Sequence, residues 1–303
     1  MNLIIDANNL AHRARHAYHL SFRGHDTSVT YGVMRMLVAL IKKFEPSSVI
    51  LCWDGGTPGF RKRHVPAYKA ARKEKKKDPT WNEFITQLCE LERILPHTGV
   101  LQVKRTGIEA DDLMAHASRL VVGKALIVTT DDDLLQCVSR NVNVYSPIRD
   151  VMYTHANFVE LIGYPVHQHV KAKVLQGDSS DGIEGVRGVG PKTVLKLLAG
   201  RACDIPESTQ ARLQEFLDSG KYMASYVTVD LSNDMVGAKY TILNTRWQPY
   251  NKSVMMWCVK RGFTSLVEAA PLGAVFGKLG QPKFKGDLHV TPRIWDYKRY
   301  PVG

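Results

Sequence analysis

Little in this chain points toward an oxidising compartment or a membrane. Among its 303 residues are only five cysteines. Cys52, Cys89, Cys137, Cys203 and Cys258 are scattered and form no CxxC pair, which excludes a disulfide framework and argues against a thiolate zinc site. No apolar run approaches the length of a membrane span. The first apolar residues give way at once to Asp6, so no signal peptide is expected. The expectation is a cytoplasmic protein with no membrane partner. Acidic residues are also in short supply: 29 Asp and Glu face 41 Lys and Arg, for a formal net charge of +12. A basic balance of that size suits a polyanionic partner, with nucleic acid leading.

The few acids fall in a pattern. Leu3-Ile4-Ile5 ends at Asp6, Val49 to Trp53 ends at Asp54, and Leu126-Ile127-Val128 runs toward Asp131-Asp132-Asp133. Glu109-Ala110-Asp111-Asp112 opens a helix-like run. In a parallel sheet with helices on both faces, ligand sites lie beyond the carboxyl ends of the strands, so Asp6, Asp54 and Asp131 are expected at one sheet edge. Two like charges 4 Å apart repel by about 4 kcal/mol at an effective dielectric near 20. Carboxylates gathered in one cleft therefore raise each other's pKa or take cations between them. An all-oxygen donor set favours Mg²⁺, with Mn²⁺ as a substitute. Taken alone, acids that open a helix more often complement its dipole; the threefold recurrence at strand ends favours metal.

Between Arg61 and Lys77 stand nine Lys or Arg against one Glu, with Tyr68 among them. Such a run is usually a solvated face, yet it follows Asp54 directly, where cations and a ring could grip a single strand. Apolar runs alternate with helical patterns up to Tyr153, which predicts a mainly parallel α/β sheet flanked by helices, with Asp150 to Tyr153 as a hairpin partner of Val142 to Tyr145. From Ala156 the pattern turns helical. Gly185 to Thr193 has the glycine spacing of a P-loop, but Pro191 stands where its lysine belongs and no strand precedes it. Two helices joined by a Gly-Val-Gly turn is the better reading; its N–H groups and Lys192 could hold a phosphate, or the hairpin could simply pack. Helices are expected at 211–217 and 222–231, and another at 262–270. The stretch from Pro271 on, with Trp295, Tyr297 and Tyr300, has no assigned structure.

Taken together, these motifs resemble the structure-specific 5′ nucleases: bacteriophage 5′→3′ exonucleases, flap endonucleases and the 5′-nuclease domain of bacterial DNA polymerase I. The residues that carry the resemblance are Ile5 to Arg13, Trp53-Asp54 with Phe60-Arg61 and Tyr68 to Arg72, Glu109 to Asp112, Thr129 to Asp133, Gly177 to Asp181 and Gly188 to Thr193. The resemblance implies a PIN-like 5′-nuclease fold: a catalytic core over 1–155 with a helical arch at about 58–80, a helical region over 156–232 with a helix–hairpin–helix, and an extension over 233–303. It also implies a two-metal phosphodiesterase. Asp6, Asp54, Glu109, Asp111 and Asp112 would build the first site. Asp131, Asp133, Asp178 and Asp181 would complete the second, with Asp131 near both. Tyr68 would stack on the nucleotide beside the cut, and Lys69 and Arg72 would approach the scissile phosphate. Arg61 would help hold the strand. Gly188, Gly190, Lys192 and Thr193 would grip duplex backbone, where the family often holds K⁺.

Branched, nicked or RNA-primed DNA is the implied substrate, in replication or repair, with an RNA/DNA hybrid as a further one and a monomer as the active form. No polymerase-like region follows, so a free-standing nuclease is expected. Two departures stand out. Asp132 occupies a position where related sequences carry Lys or Gly, and could add charge to the site or face solvent. Gly182-Ile183-Glu184 replaces Asn-Ile-Pro. The rival readings are a PIN-like endoribonuclease and a non-catalytic DNA-binding protein on the same fold.

Overall fold

The computed structural model describes residues 1–57, 59–70, 80–232, 247, 249–268 and 272–285. Along the chain run β1 (Asn2–Asp6), α1 (Ala7–Ala17), the short pair β2 (Ser21–Phe22) and β3 (His25–Asp26), α2 (Ser28–Phe44), β4 (Ser48–Trp53), α3 (Gly59–His64), α4 (Trp81–Ile94), β5 (Leu101–Lys104), α5 (Ala110–Leu120) and β6 (Ala125–Val128). Then come β7 (Val142–Ser146), β8 (Val151–Tyr153), α6 (Phe158–Ile162), α7 (His169–Gln176), α8 (Pro191–Leu198), α9 (Glu207–Asp218) and α10 (Lys221–Val229). Past residue 232 lie α11 (Ser253–Lys260), α12 (Thr264–Glu268) and α13 (Leu272–Phe276). The chain divides into two compact units: 1–55 with 76–128 and 236–303, and 56–75 with 129–235.

In the first unit β5, β4, β1 and β6 lie side by side in that order, all parallel, with Asp6 opposite Cys52 and Ile5 opposite Val128. Their sequences read as unbroken apolar runs because both faces are covered. Leu3, Ile4, Val49, Ile50, Leu51 and Ile127 are fully buried. Helices α1, α2, α4 and α5 enclose this sheet, as the apolar spacing of α2 required.

The start of α2 is satisfied from a distance. Thr27 makes no side-chain cap. Instead the Asp26 carboxylate accepts from the Ser28 N–H, and the buried Gln87 Oε1, from α4, accepts from the N–H groups of Val29 and Thr30 at 2.9 and 3.1 Å. Each orphaned buried N–H costs on the order of 1–3 kcal/mol. Gln87→Met keeps the volume and removes the acceptor, so it should cost about 2–4 kcal/mol in urea unfolding. A loss under about 0.5 kcal/mol would show that the helix start finds other partners.

The C-terminal stretch straps the same unit. Trp247 Nε1 donates to the Gly99 carbonyl at 2.8 Å, Trp257 Nε1 to Glu90 at 2.7 Å, and the hydroxyls of Tyr31 and Ser265 pair at 2.9 Å. Phe284 bridges Val121, and Gly280 N–H donates to the Ser47 carbonyl. Within the expected helix at 262–270 the described residues form α12, and α13 lies where no element was assigned. Trp295, Tyr297 and Tyr300 lie outside the described residues.

In the second unit β7 and β8 form the expected antiparallel hairpin. Helices α3, α7, α8, α9 and α10 gather around Val170, Val174, Leu175, Val194, Phe216 and Val229.

Candidate active site: two acidic clusters

Each unit carries one cluster. In the first, Asp6 ends β1 and its carboxylate accepts from the Asn9 N–H at 2.8 Å, capping α1. Asp54 follows β4, its N–H held by the Asn8 side chain at 2.8 Å. The next residue must be glycine. A Cβ on Gly55 would collide with the Arg105 carbonyl, and Gly55 exchanges backbone bonds with Ile108 and Gly107 at 2.9 and 2.8 Å. That tie fixes Asp54 against the loop that delivers Glu109. Glu109 is the N-cap of α5, and Asp111 and Asp112 occupy its first turn; Glu109 and Asp112 are buried. Burial raises the Cys52 thiol well above its usual range, and the charges of Asp6 and Asp111 raise it further.

In the second unit, Asp131 accepts from the Asp133 N–H at 2.9 Å and so opens a short 3₁₀ turn over Asp132–Cys137. Thr129 Oγ1 accepts from the Asp131 N–H at 3.0 Å. Asp178 accepts from the N–H and the hydroxyl of Ser180 at 2.9 and 2.7 Å, and exchanges backbone bonds with Ile183. Lys173, on α7, reaches Asp133 at 2.9 Å and Asp178 at 3.4 Å. Lys69 lies 3.7 Å from Asp181, and its N–H donates to the Asp181 carbonyl at 3.0 Å. Burial raises the pKa of Asp131, with the Asp133 charge adding to it. Burial likewise raises Asp133, against the pull of Lys173. Asp178 goes the other way: burial pushes it up, but the Ser180 bonds and Lys173 outweigh that and hold it below the usual range.

Several expected roles change once the side chains are placed. Tyr68 was expected to stack on a nucleotide, yet its ring is only 4% exposed and packs into the core of the second unit, flanked by Arg61 and Lys69. Arg61, expected to hold the strand, is buried, and its Nε donates to the Thr228 carbonyl at 2.9 Å. Both hold the base of the basic segment in place. Asp132 does not add an open charge: Arg149 grips it with two bonds of 2.7 and 2.8 Å. Arg72 lies outside the described residues. At the Gly-Val-Gly turn, Gly188 has φ +93°, Gly190 caps α8, and Pro191 takes its first position. Thr193 Oγ1 donates to the Gly188 carbonyl at 3.4 Å, and Lys192 is exposed.

Sequence reasoning missed Lys173, Arg149 and His169. A lysine five residues ahead of Asp178 was a usable signal for the first; nothing local marks the others. Buried His169 meets the Asp132 carbonyl through Nε2 at 2.8 Å and the Tyr164 hydroxyl through Nδ1 at 3.3 Å. Burial drives its pKa from 6.5 to about 4. The unfolded chain then binds more protons between those values, so stability rises with pH across the window and is lost as pH falls toward 4. The loss should reach about 3 kcal/mol. Urea unfolding of wild type and His169→Gln between pH 7 and 4 measures it; parallel pH curves would refute a neutral buried imidazole.

Among the described residues, no group of three or more His, Cys, Asp or Glu side chains is drawn together tightly enough to hold a metal as it stands. What fits a hard divalent ion is the chemistry of the donors, carboxylate oxygens, with burial disfavouring the charges of Asp131 and Asp133.

A parallel sheet carrying acids at its carboxyl edge, together with an aspartate-rich helical unit, defines an α/β class. The family description "5′-3′ exonuclease, N-terminal resolvase-like domain" matches residues 1–163, and the chain belongs to that family. The 5′-3′ exonuclease of Bacillus subtilis is 29% identical over 265 residues, 79% of this chain and 88% of that protein. Thermostable DNA polymerase I of Thermus filiformis is 33% identical over 201 residues, 65% of this chain but only 23% of the polymerase. The matched region is thus less than a quarter of that relative. Among solved structures, the bacteriophage T5 5′-exonuclease with zinc bound aligns at TM-score 0.64 and 22% identity, covering 76% of this chain and 90% of that one. The catalytic core of Rad2 in complex with DNA substrate aligns at 0.51 and 16%, covering 89% and 92%. At these identities the two structures speak for the fold.

Proposed function

We propose that the protein is a structure-specific 5′ nuclease that hydrolyses phosphodiester bonds near the 5′ ends of branched, nicked or RNA-primed DNA with two Mg²⁺ ions. The observation that supports this most is the recurrence of carboxylates at the strand ends, at the start of α5 and on the turns of the second unit, in a chain of net charge +12. Asp6, Asp54, Glu109, Asp111 and Asp112 hold one ion; Asp131, Asp133, Asp178 and Asp181 hold the other, and Mn²⁺ substitutes. When bound, such ions acidify the attacking water and neutralise charge on the leaving oxygen. Lys69 and Arg72 offset charge developing on the phosphoryl oxygens. Lys173 holds Asp133 and Asp178 at a fixed spacing. The turn at Gly188, Gly190, Lys192 and Thr193 grips duplex backbone through its N–H groups, with K⁺ there. The working form is a cytoplasmic monomer, and RNA in a hybrid is cut as well.

The test uses 5′-labelled flap, nicked, blunt and RNA-primer duplexes, and single-stranded RNA, each with Mg²⁺ and with chelator. Mg²⁺-dependent cutting of the DNA substrates to 5′-phosphate and 3′-hydroxyl products is expected. Cutting confined to single-stranded RNA would make it an endoribonuclease. Binding without cutting would make it a DNA-binding protein.

A further inference from the structure

We infer that Gly182 is a positioning residue for Lys69: only a glycine there lets the base of the basic segment dock on the Asp178–Asp181 turn. The inference rests on the nuclease reading of Lys69. Two left-handed residues meet at this junction, Gly182 at φ +71° and Lys69 at φ +52°. The second is a non-glycine held in a conformation that costs roughly 1–2 kcal/mol. It is held from both sides. The Lys69 N–H donates to the Asp181 carbonyl at 3.0 Å, and the Ala70 N–H donates back to the Ala67 carbonyl at 3.0 Å. That Ala67 carbonyl lies directly over Gly182, where any Cβ would overlap its oxygen.

What yields to a new Cβ follows from what is fixed. The turn side is pinned by the Ser180 bonds to Asp178 and by the paired backbone bonds between Asp178 and Ile183. The segment 67–70 is anchored by the buried Tyr68 ring, but Ala67 and Ala70 are exposed. It is the side that moves. Moving it breaks the Lys69–Asp181 backbone bond and carries the Lys69 ammonium away from Asp181. An error of about 1 Å in a group near the chemistry costs on the order of 100-fold in rate.

Two variants separate collision from backbone strain. Gly182→Ala brings both, whereas Gly182→Asn brings the same Cβ with a side chain that tolerates positive φ. Both variants should keep Mn²⁺ affinity and flap-DNA Kd within about 3-fold and lose at least about 10-fold in single-turnover rate. Placed in a Lys69→Ala background, Gly182→Asn should add almost nothing, the signature of one residue acting through the other. Independently of activity, amide exchange at Lys69 and Ala70, whose N–H groups bond to the Asp181 and Ala67 carbonyls, should become faster in Gly182→Asn than in wild type. Wild-type rate and unchanged exchange in Gly182→Asn would overturn the inference, as would a loss fully additive with Lys69→Ala. A wild-type chain that cuts nothing would instead sink the nuclease reading, leaving the exchange experiment to decide the junction.

Discussion

Asp131→Asn is expected to lower Mg²⁺-dependent cleavage by at least about 10²–10³-fold, the scale for removing one preorganised electrostatic group, while flap-DNA affinity holds. Asparagine is nearly isosteric, and its Oδ1 can take over the bond from the Asp133 N–H, so the 3₁₀ turn keeps its start. Only charge is lost. The same change should leave the fold as stable or more so. The pKa of Asp131 is raised in the folded chain, by burial first and then by Asp133. A carboxyl with a raised folded pKa contributes stability only at low pH and loses it as pH climbs through that value, so at pH 7 its charge is a liability. Single-turnover cleavage, a gel shift in chelator and a melting curve measure all three. Unchanged turnover would remove Asp131 from the site; a lower Tm would mean its charge is compensated in the fold. Lost function with retained stability is the usual mark of a site whose charge the fold tolerates for its use.

The second large effect concerns the C-terminal strap. Phe276→Ala should destabilise the first unit by about 3–5 kcal/mol, the cost of emptying a closed aromatic site. The Phe276 ring is fully buried and stacks on Tyr250 at 6.4 Å with planes 8° apart. Val254, Phe263, Leu266, Leu272, Val275, Phe276 and Leu279 are all buried. At about 1.5–3 kcal/mol each, these seven contribute roughly 10–20 kcal/mol of gross burial, as much as the net stability of a typical domain. Removing residues 247–303 should therefore leave a chain that aggregates on expression. Urea unfolding and size-exclusion chromatography read both results. A truncated chain that stays folded would show the strap to be an accessory.

Much of this was legible because it is local. Unbroken apolar runs such as Val49 to Trp53 identify strands covered on both faces. Asp6 closes β1, Asp54 follows β4 directly, and Pro96 falls in the 3₁₀ turn that follows α4. The order of these motifs is enough to place the chain in its family. The weak signal beyond Asn233 had a physical cause. Among the described residues α11, α12 and α13 run eight, five and five residues, lengths that propensity alone does not stabilise without packing.

By itself the sequence determined the strand and helix types, the acids at the ends of β1 and β4 and the basic balance, since each follows from a residue and its near neighbours. Only the tertiary structure decided which charges are paired and which rings are buried. Lys173 meets Asp133 across forty residues, Arg149 takes up Asp132, and Tyr68 lies inside a core instead of on a surface. The reason is that a charge or a ring has no fixed role until packing sets its distance to a partner and its exposure to water. Over a few ångströms those two quantities change an interaction by several kcal/mol, and no local pattern of residues encodes them.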